Sequence, residues 1–123
     1  MSNEEMRAGM RARVLSCLMH GQDLANDRSW IAMHLGMSDR TVRQMIEELR
    51  NEGHLICNSQ DGRGYFIAET DAEIARQYRQ DCARAMSILR RIKPFRRAMK
   101  EIAEKSDQIT FEDLAFGELI ETF

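Results

Sequence analysis

Residues 35 to 56, LGMSDRTVRQMIEELRNEGHLI, restrict the fold more than any other stretch of this 123-residue chain. Ser38 offers a helix cap, and Val42, Met45, Ile46 and Leu49 then recur at i, i+3, i+4 and i+7, the spacing of a single buried helical face. Gly36 lets the preceding helix turn sharply into this one, and Gly53 closes it. On a wheel of about 100° per residue, Arg40, Gln44, Glu47 and Asn51 fall opposite the apolar stripe, with Arg43 on the flank. A helix divided in this way needs greasy partners on one side and leaves long hydrogen-bonding side chains on the other.

The partners precede it. Met10, Val14, Leu15 and Leu18 have helical spacing within residues 4 to 19, with Gly21 beyond the end. Asn26 and Asp27 offer a cap for a short second helix in which Ile31, Ala32 and Leu35 share one side. After Gly53 the period changes. HLICN, residues 54 to 58, and YFIA, residues 65 to 68, are strand-like runs joined by SQDGRG, whose two glycines suit a hairpin turn. The expected order is helix, helix, helix, hairpin, a mainly α fold with a small β-hairpin.

From Thr70 the helical period returns, with Thr70 or Asp71 as cap, and continues towards residue 104. Its apolar positions form a heptad. Tyr78, Ala85, Ile92 and Met99 share one phase, and Ile74, Ile88, Phe95 and Ile102 share the other, broken by Asp81. A seam this long exceeds what so small a domain needs internally, so it suggests pairing across a homodimer; the alternative is a helix folded back over the first domain. Pro94 removes one backbone hydrogen bond at a cost of roughly 3 kcal/mol, which predicts a kink or a restart near Lys93. The chain then divides into residues 1–69, a long basic helix over 70–105, and an acidic and apolar tail over 106–123. The tail is either a short docking helix or a loose segment.

The formal net charge of −2 hides a strong asymmetry. Residues 106 to 123 carry Asp107, Glu112, Asp113, Glu118 and Glu121 with no Lys or Arg, leaving 18 basic against 15 acidic groups in the remainder. Residues 84 to 100 hold Arg84, Arg90, Arg91, Lys93, Arg96, Arg97 and Lys100 with no acid. Because screening acts over about 10 Å, this local excess governs what the helix attracts.

Other classes find no support. With no apolar run approaching the roughly 18 residues of a membrane helix and no signal-peptide core, the chain reads as a soluble cytoplasmic protein without membrane partners. Cys17, Cys57 and Cys82 are odd in number and contain no CxxC pair, which fits free thiols better than disulfides. Cys17 and His20 could share a helix face, but His54 and Cys57 in a strand point to opposite faces, so neither metal nor cofactor is expected. Gly62 and Gly64 are too few for a phosphate-binding loop, and no Ser or Cys sits in a motif with a His and an acid, so no enzyme is expected. Trp30 is expected to fill the seam between the second helix and its neighbours, His34 to be a polar helix residue, and the nine methionines to be soft core filler.

The outer row of residues 38 to 51 suits DNA chemically. Arg matches the acceptors of guanine, Gln and Asn match the adenine edge, and the major groove admits a helix. Ser38, Thr41 and the free amides of the first helical turn suit phosphate. Residues 27 to 68 resemble a winged helix-turn-helix domain, similar to the DNA-binding domain of the biotin repressor and to the amino-terminal domains of many bacterial regulators. The likeness is carried by Ile31-Ala32, Leu35-Gly36-Met37-Ser38, Arg40-Thr41-Val42-Arg43 with Ile46 and Leu49, Gly53, and Asp61-Gly62-Arg63-Gly64-Tyr65. More loosely, a winged helix followed by one long basic helix is similar to small phage and prophage proteins of replication or regulation.

This resemblance implies that the second helix of the motif enters the major groove, so that Arg40, Arg43 and Gln44 face bases or phosphates, while Arg63 at the wing tip meets the backbone or minor groove. Arg90, Arg91 and Arg97 of the basic helix are expected on further phosphates of double-stranded DNA. The sequence departs from strong DNA binders at Asp39, Glu47 and Glu48, which lie on or near the presented face. Glu47 can instead accept from a cytosine amino group, and Asp39 can serve the helix dipole. The rival expectation is a protein-interaction adaptor on the same scaffold, with residues 106–123 docking onto a protein partner; the tail could also cover the basic helix in cis.

Overall fold

The computed structural model describes residues 2–105 and 117–119. Its elements run α1 (Asn3–Ser16), β1 (Asn26–Asp27), α2 (Arg28–Leu35), α3 (Asp39–Asn51), β2 (Ile56–Asn58), β3 (Gly64–Ile67) and α4 (Asp71–Ala103), with a short 3-10 turn over Gln22–Leu24. The chain is mainly helical with a small antiparallel sheet, and it forms two compact units, Met1–Gln77 and Tyr78–Phe123. Among the described residues no helix is long and apolar enough to cross a membrane.

Local signals produce the helices of the first unit. Ser2 caps α1 by accepting from the Glu5 amide, and Ser38 caps α3 by accepting from the Thr41 amide at 3.0 Å. Gly36 ends α2 with φ 64° and ψ 35°, a left-handed conformation in which the Met37 amide reaches back 2.9 Å to the Ala32 carbonyl. The α3 stripe then does what its spacing requires: Val42, Met45, Ile46 and Leu49 are buried together with Val14 and Leu18 from the first helical segment, Ile31 and Ala32 from α2, and Ile56 and Tyr65 from the sheet. Burying a Val, Leu, Ile or Met side chain contributes about 1.5–3 kcal/mol, so this stripe anchors α3 firmly.

The sheet has three strands, not the two of a bare hairpin. Its order is β1-β3-β2, with Asn26 opposite Tyr65 and Asp27 opposite Gly64. Two residues give too short a hydrophobic pattern to announce a strand, which is why β1 reads from sequence only as a cap. Gly64 permits the pairing, because a Cβ there would overlap the Asn26 carbonyl. Ile56, Tyr65 and Ile67 face the helical core, while Phe66, fully buried, and its cross-strand neighbour Cys57 point the other way. The start of α4 lies on that second side. The Asn58 amide donates to Gln77 Oε1 at 2.8 Å, and Arg76 Nη1 reaches the Asn58 carbonyl at 3.4 Å.

Thr70 and Glu73 settle how α4 begins. The Glu73 amide donates to Thr70 Oγ1 at 3.2 Å, and Glu73 Oε1 accepts from the Thr70 and Glu69 amides, a reciprocal capping box. From there α4 runs through Pro94 to Ala103 without the restart expected near Lys93. Proline removes one amide, and the bonds on either side continue the helix.

Trp30 does not fill a seam. It is 47% exposed and stacks on His34 with ring centroids 4.8 Å apart, because Ile31 and Ala32 occupy the inner face of α2. Nor are the methionines uniformly core: Met45 is fully buried, whereas Met33 is 85% exposed.

Candidate nucleic-acid interface

With its apolar stripe buried, α3 turns Arg40, Arg43, Gln44, Glu47 and Asn51 to solvent, all of them exposed. The Ser38 and Thr41 hydroxyls lie 2.9 Å apart at the first turn. Ser38, Arg40, Thr41, Arg43, Gln44 and Glu47 therefore share one short helix and its cap.

Two of the three acids that seemed to oppose phosphate are paired. Asp39 Oδ1 accepts from Arg28 Nε at 2.6 Å and Asp39 Oδ2 faces Arg43 Nε at 3.0 Å, so one carboxylate is shared by two guanidiniums. The hydrogen bond to Asp39, and then one to Tyr65, raises the pKa of Arg28 further above its already high value. Glu48 is not on the presented face. It is half-buried and turned towards α1, where Arg7 Nη2 donates to Oε2 at 2.6 Å and Arg11 Nη1 to Oε1 at 3.1 Å. The Arg7 hydrogen bond, followed by its charge, holds the Glu48 carboxyl below the usual range. Position 48 is i+3 from Met45 on α3, and that side of α3 meets α1. Glu47 stays exposed.

Arg28 is a residue that sequence reasoning passed over. Its amide donates to the Arg63 carbonyl at 2.8 Å while its side chain holds Asp39, so it links the start of α2, the start of α3 and the β2–β3 turn. Its partners are 11 and 35 positions away, beyond any local pattern. Arg13 is another, donating 2.8 Å to the Leu35 carbonyl at the end of α2. Arg11 also bonds Glu4 Oε1 at 2.6 Å and meets Glu52 Oε1 at 2.9 Å, completing an ionic clasp between α1 and α3.

The β2–β3 turn is held from within. Asp61 Oδ1 accepts from Ser59 Oγ at 2.6 Å and from the Arg63 amide at 2.9 Å, and Ser59 Oγ accepts from the Gly64 amide at 2.9 Å. The Ser59 bond first, then the Arg63 amide, keeps the Asp61 carboxyl low. The Arg63 side chain stands exposed at this turn.

In the second unit, Arg90, Arg91 and Arg97 are exposed. Along α4 no side chain is buried: Ile74, Tyr78, Ala85, Ile88, Phe95, Met99 and Ile102 are exposed and Ile92 is half-buried. The expected tail over 106–123 lies outside the described residues except for Gly117, Glu118 and Leu119.

A cavity of about 360 Å³ is lined by His20, Gln22, Asp23, Glu69 and Glu73. Glu73 is committed there to backbone, accepting from the Glu69, Thr70 and Gln22 amides, which lowers its pKa with the Glu69 bond the largest cause. Among the described residues no three His, Cys, Asp or Glu are grouped to hold a metal ion. Comparison of the chain with protein-family models, with curated proteins and with solved structures gave no match.

Proposed function

We propose that this chain is a winged helix-turn-helix protein that binds double-stranded DNA as a homodimer, acting as a transcriptional regulator or a phage replication accessory. The observation that carries the reading is α3 itself: a fully buried stripe beneath, and Arg40, Gln44, Glu47 and Asn51 exposed above. The element order α1-β1-α2-α3-β2-β3 and the sheet order β1-β3-β2 support the winged-helix assignment.

In this reading α3 lies in the major groove. Arg40 and Gln44 meet base edges, and Glu47 accepts from a cytosine amino group. Ser38, Thr41 and the first-turn amides bind phosphate with Arg43, which Asp39 steadies. Arg63 reaches the backbone from the β2–β3 turn, and Arg90, Arg91 and Arg97 contact further phosphates. The open α4 seam pairs two copies, and two recognition helices read two half-sites. The protein works in the cytoplasm, where the buried Cys17 and Cys57 stay reduced.

Fluorescence anisotropy with a random-sequence duplex at two salt concentrations tests this. Binding at low salt that weakens steeply with added salt is expected, because cations meeting phosphate release counterions. No binding at low salt would end the proposal.

A second reading, a protein-interaction adaptor on the same scaffold, draws on the exposed Trp30 and His34 stack beside Met33 on α2. Substituting Trp30 and Met33 with serine separates the two: DNA affinity stays level under the first reading, and partner capture is lost under the second.

A further inference from the structure

The start of α2 lacks the cap that its sequence offers. A helix leaves its first amides without intrahelical partners, and Asp27, although suited to the N-cap, makes no side-chain bond there. The Arg63 carbonyl supplies a partner instead, accepting from the Arg28 amide at 2.8 Å. The β2–β3 turn therefore caps α2. It approaches this closely because position 64 is a glycine, whose missing Cβ leaves room for the Asn26 carbonyl.

The Arg28 side chain holds the other end of the same link. Its Nε donates to Asp39 Oδ1 at 2.6 Å in the first turn of α3, and the guanidinium also bonds Tyr65, a buried residue of β3 next to Gly64. Asp39 Oδ2 extends the contact to Arg43 Nε at 3.0 Å. An asparagine at position 39 would retain an oxygen for Arg28, so this link survives loss of the charge there. The Arg28 side chain is 23% exposed against 58% for Arg43, which makes it a poor ligand for phosphate and a good strut. Arg43 on α3 and Arg63 on the turn, both exposed, thus stand at the two ends of one chain of bonds that runs through Arg28. A turn held in advance also avoids the entropy cost of being ordered when a ligand arrives.

We propose that Arg28 is a positioning residue that holds the β2–β3 turn at a fixed offset from the first turn of α3, so that Arg63 and Arg43 meet the DNA backbone as one preformed unit. For its ligand this rests on the nucleic-acid reading; the link itself does not.

The test uses the full chain and a random 20-base-pair duplex between 50 and 200 mM salt. Arg28→Lys keeps the charge but loses the planar fork that serves Asp39 and Tyr65 together. It should weaken binding at least about threefold at 50 mM salt and make the log–log salt slope shallower by about 0.9, the equivalent of one phosphate lost. R63A should do the same, and the R28K/R63A chain should lose no more than either single variant, because both remove one contact. Amide exchange reads the link without DNA. The amide at position 28 should exchange at least about tenfold faster in R28K, while those of Ile46 and Leu49 in the core keep their rates; a merely structural loss would speed all three alike. Should R28K fold poorly, Y65F removes only the hydroxyl that Arg28 bonds and leaves the buried ring in place, and the same measurements apply to it. Losses that add in the double variant, an R28K or R63A chain that binds as the parent does, or exchange at position 28 that is unchanged or rises only with the core overturns the proposal. If the parent chain binds no duplex, the DNA reading fails and the exchange rates alone decide the link.

Discussion

Asp39→Asn separates stability from binding, because its carboxylate serves Arg28 and Arg43 at once, at 2.6 and 3.0 Å. The three side chains are 23 to 58% exposed, so each pair is a surface ion pair worth about 0–1 kcal/mol. Losing both should destabilise the fold by about 1 kcal/mol and lower Tm by roughly 4–8 °C. Binding should move the other way. A phosphate contacted by the Arg43 guanidinium lies about 7 Å from the Asp39 carboxylate, across the width of the arginine head. At that distance 332/(εr) is a repulsion of about 0.6 kcal/mol at an ε of 80 and about 2.4 kcal/mol at an ε of 20. Removing the charge should therefore tighten DNA binding about threefold to fiftyfold at low salt, with the gain shrinking as salt rises. Anisotropy on a random 20-base-pair duplex at 50 and 150 mM salt reads the affinity, and thermal denaturation reads the cost. Affinity that is unchanged within twofold, or weakened, in a variant with native circular dichroism would refute the claim that Arg43 meets phosphate.

The remaining expectations are shorter. Ser38→Ala should cost about 1 kcal/mol by chemical denaturation, because the Thr41 amide loses its cap at the start of α3. Gly64→Ala should destabilise by roughly 1–3 kcal/mol in the same assay, since the neighbour its Cβ meets is the Asn26 backbone, which cannot swing aside. Acid should unfold the first unit through Glu48, Asp61 and Glu73, whose folded pKa values are all depressed. The unfolded chain then binds more protons, so stability is full above the ordinary carboxyl range near 4.5 and falls as pH drops through the lower folded values. Glu73→Gln should flatten that pH slope in urea titrations between about pH 5 and 3. Phe95→Glu should convert dimer to monomer in sedimentation analysis without shifting the circular dichroism of the first unit; a monomeric parent chain would remove the α4 seam from the argument.

What was legible in the sequence was local in origin. The Ser38 cap, the stripe from Val42 to Leu49 and the left-handed Gly36 each depend on neighbours within a turn or two, where hydrogen-bond and periodicity rules act directly. The hairpin around Asp61 and Gly62 belongs to the same group, and so does the cap at Thr70, although the choice between Thr70 and Asp71 and the reciprocal bond from Glu73 came only with the structure; Arg40, Gln44 and Asn51 followed as the outward row once the stripe was known.

Tertiary structure decided everything that needed a distant partner. β1 exists because Asn26 and Asp27 meet Tyr65 and Gly64 across nearly 40 positions, which no short window can anticipate. Glu48 left the presented face for Arg7 and Arg11, and Asp39 became a bridge to Arg28, so the acids that opposed phosphate on a helical wheel proved to be largely neutralised. Trp30 turned outward because Ile31 and Ala32 already filled the core side of α2. A helical wheel specifies which side of a helix a residue occupies, but the charge a ligand meets there depends on which counter-charges the fold brings within about 3 Å.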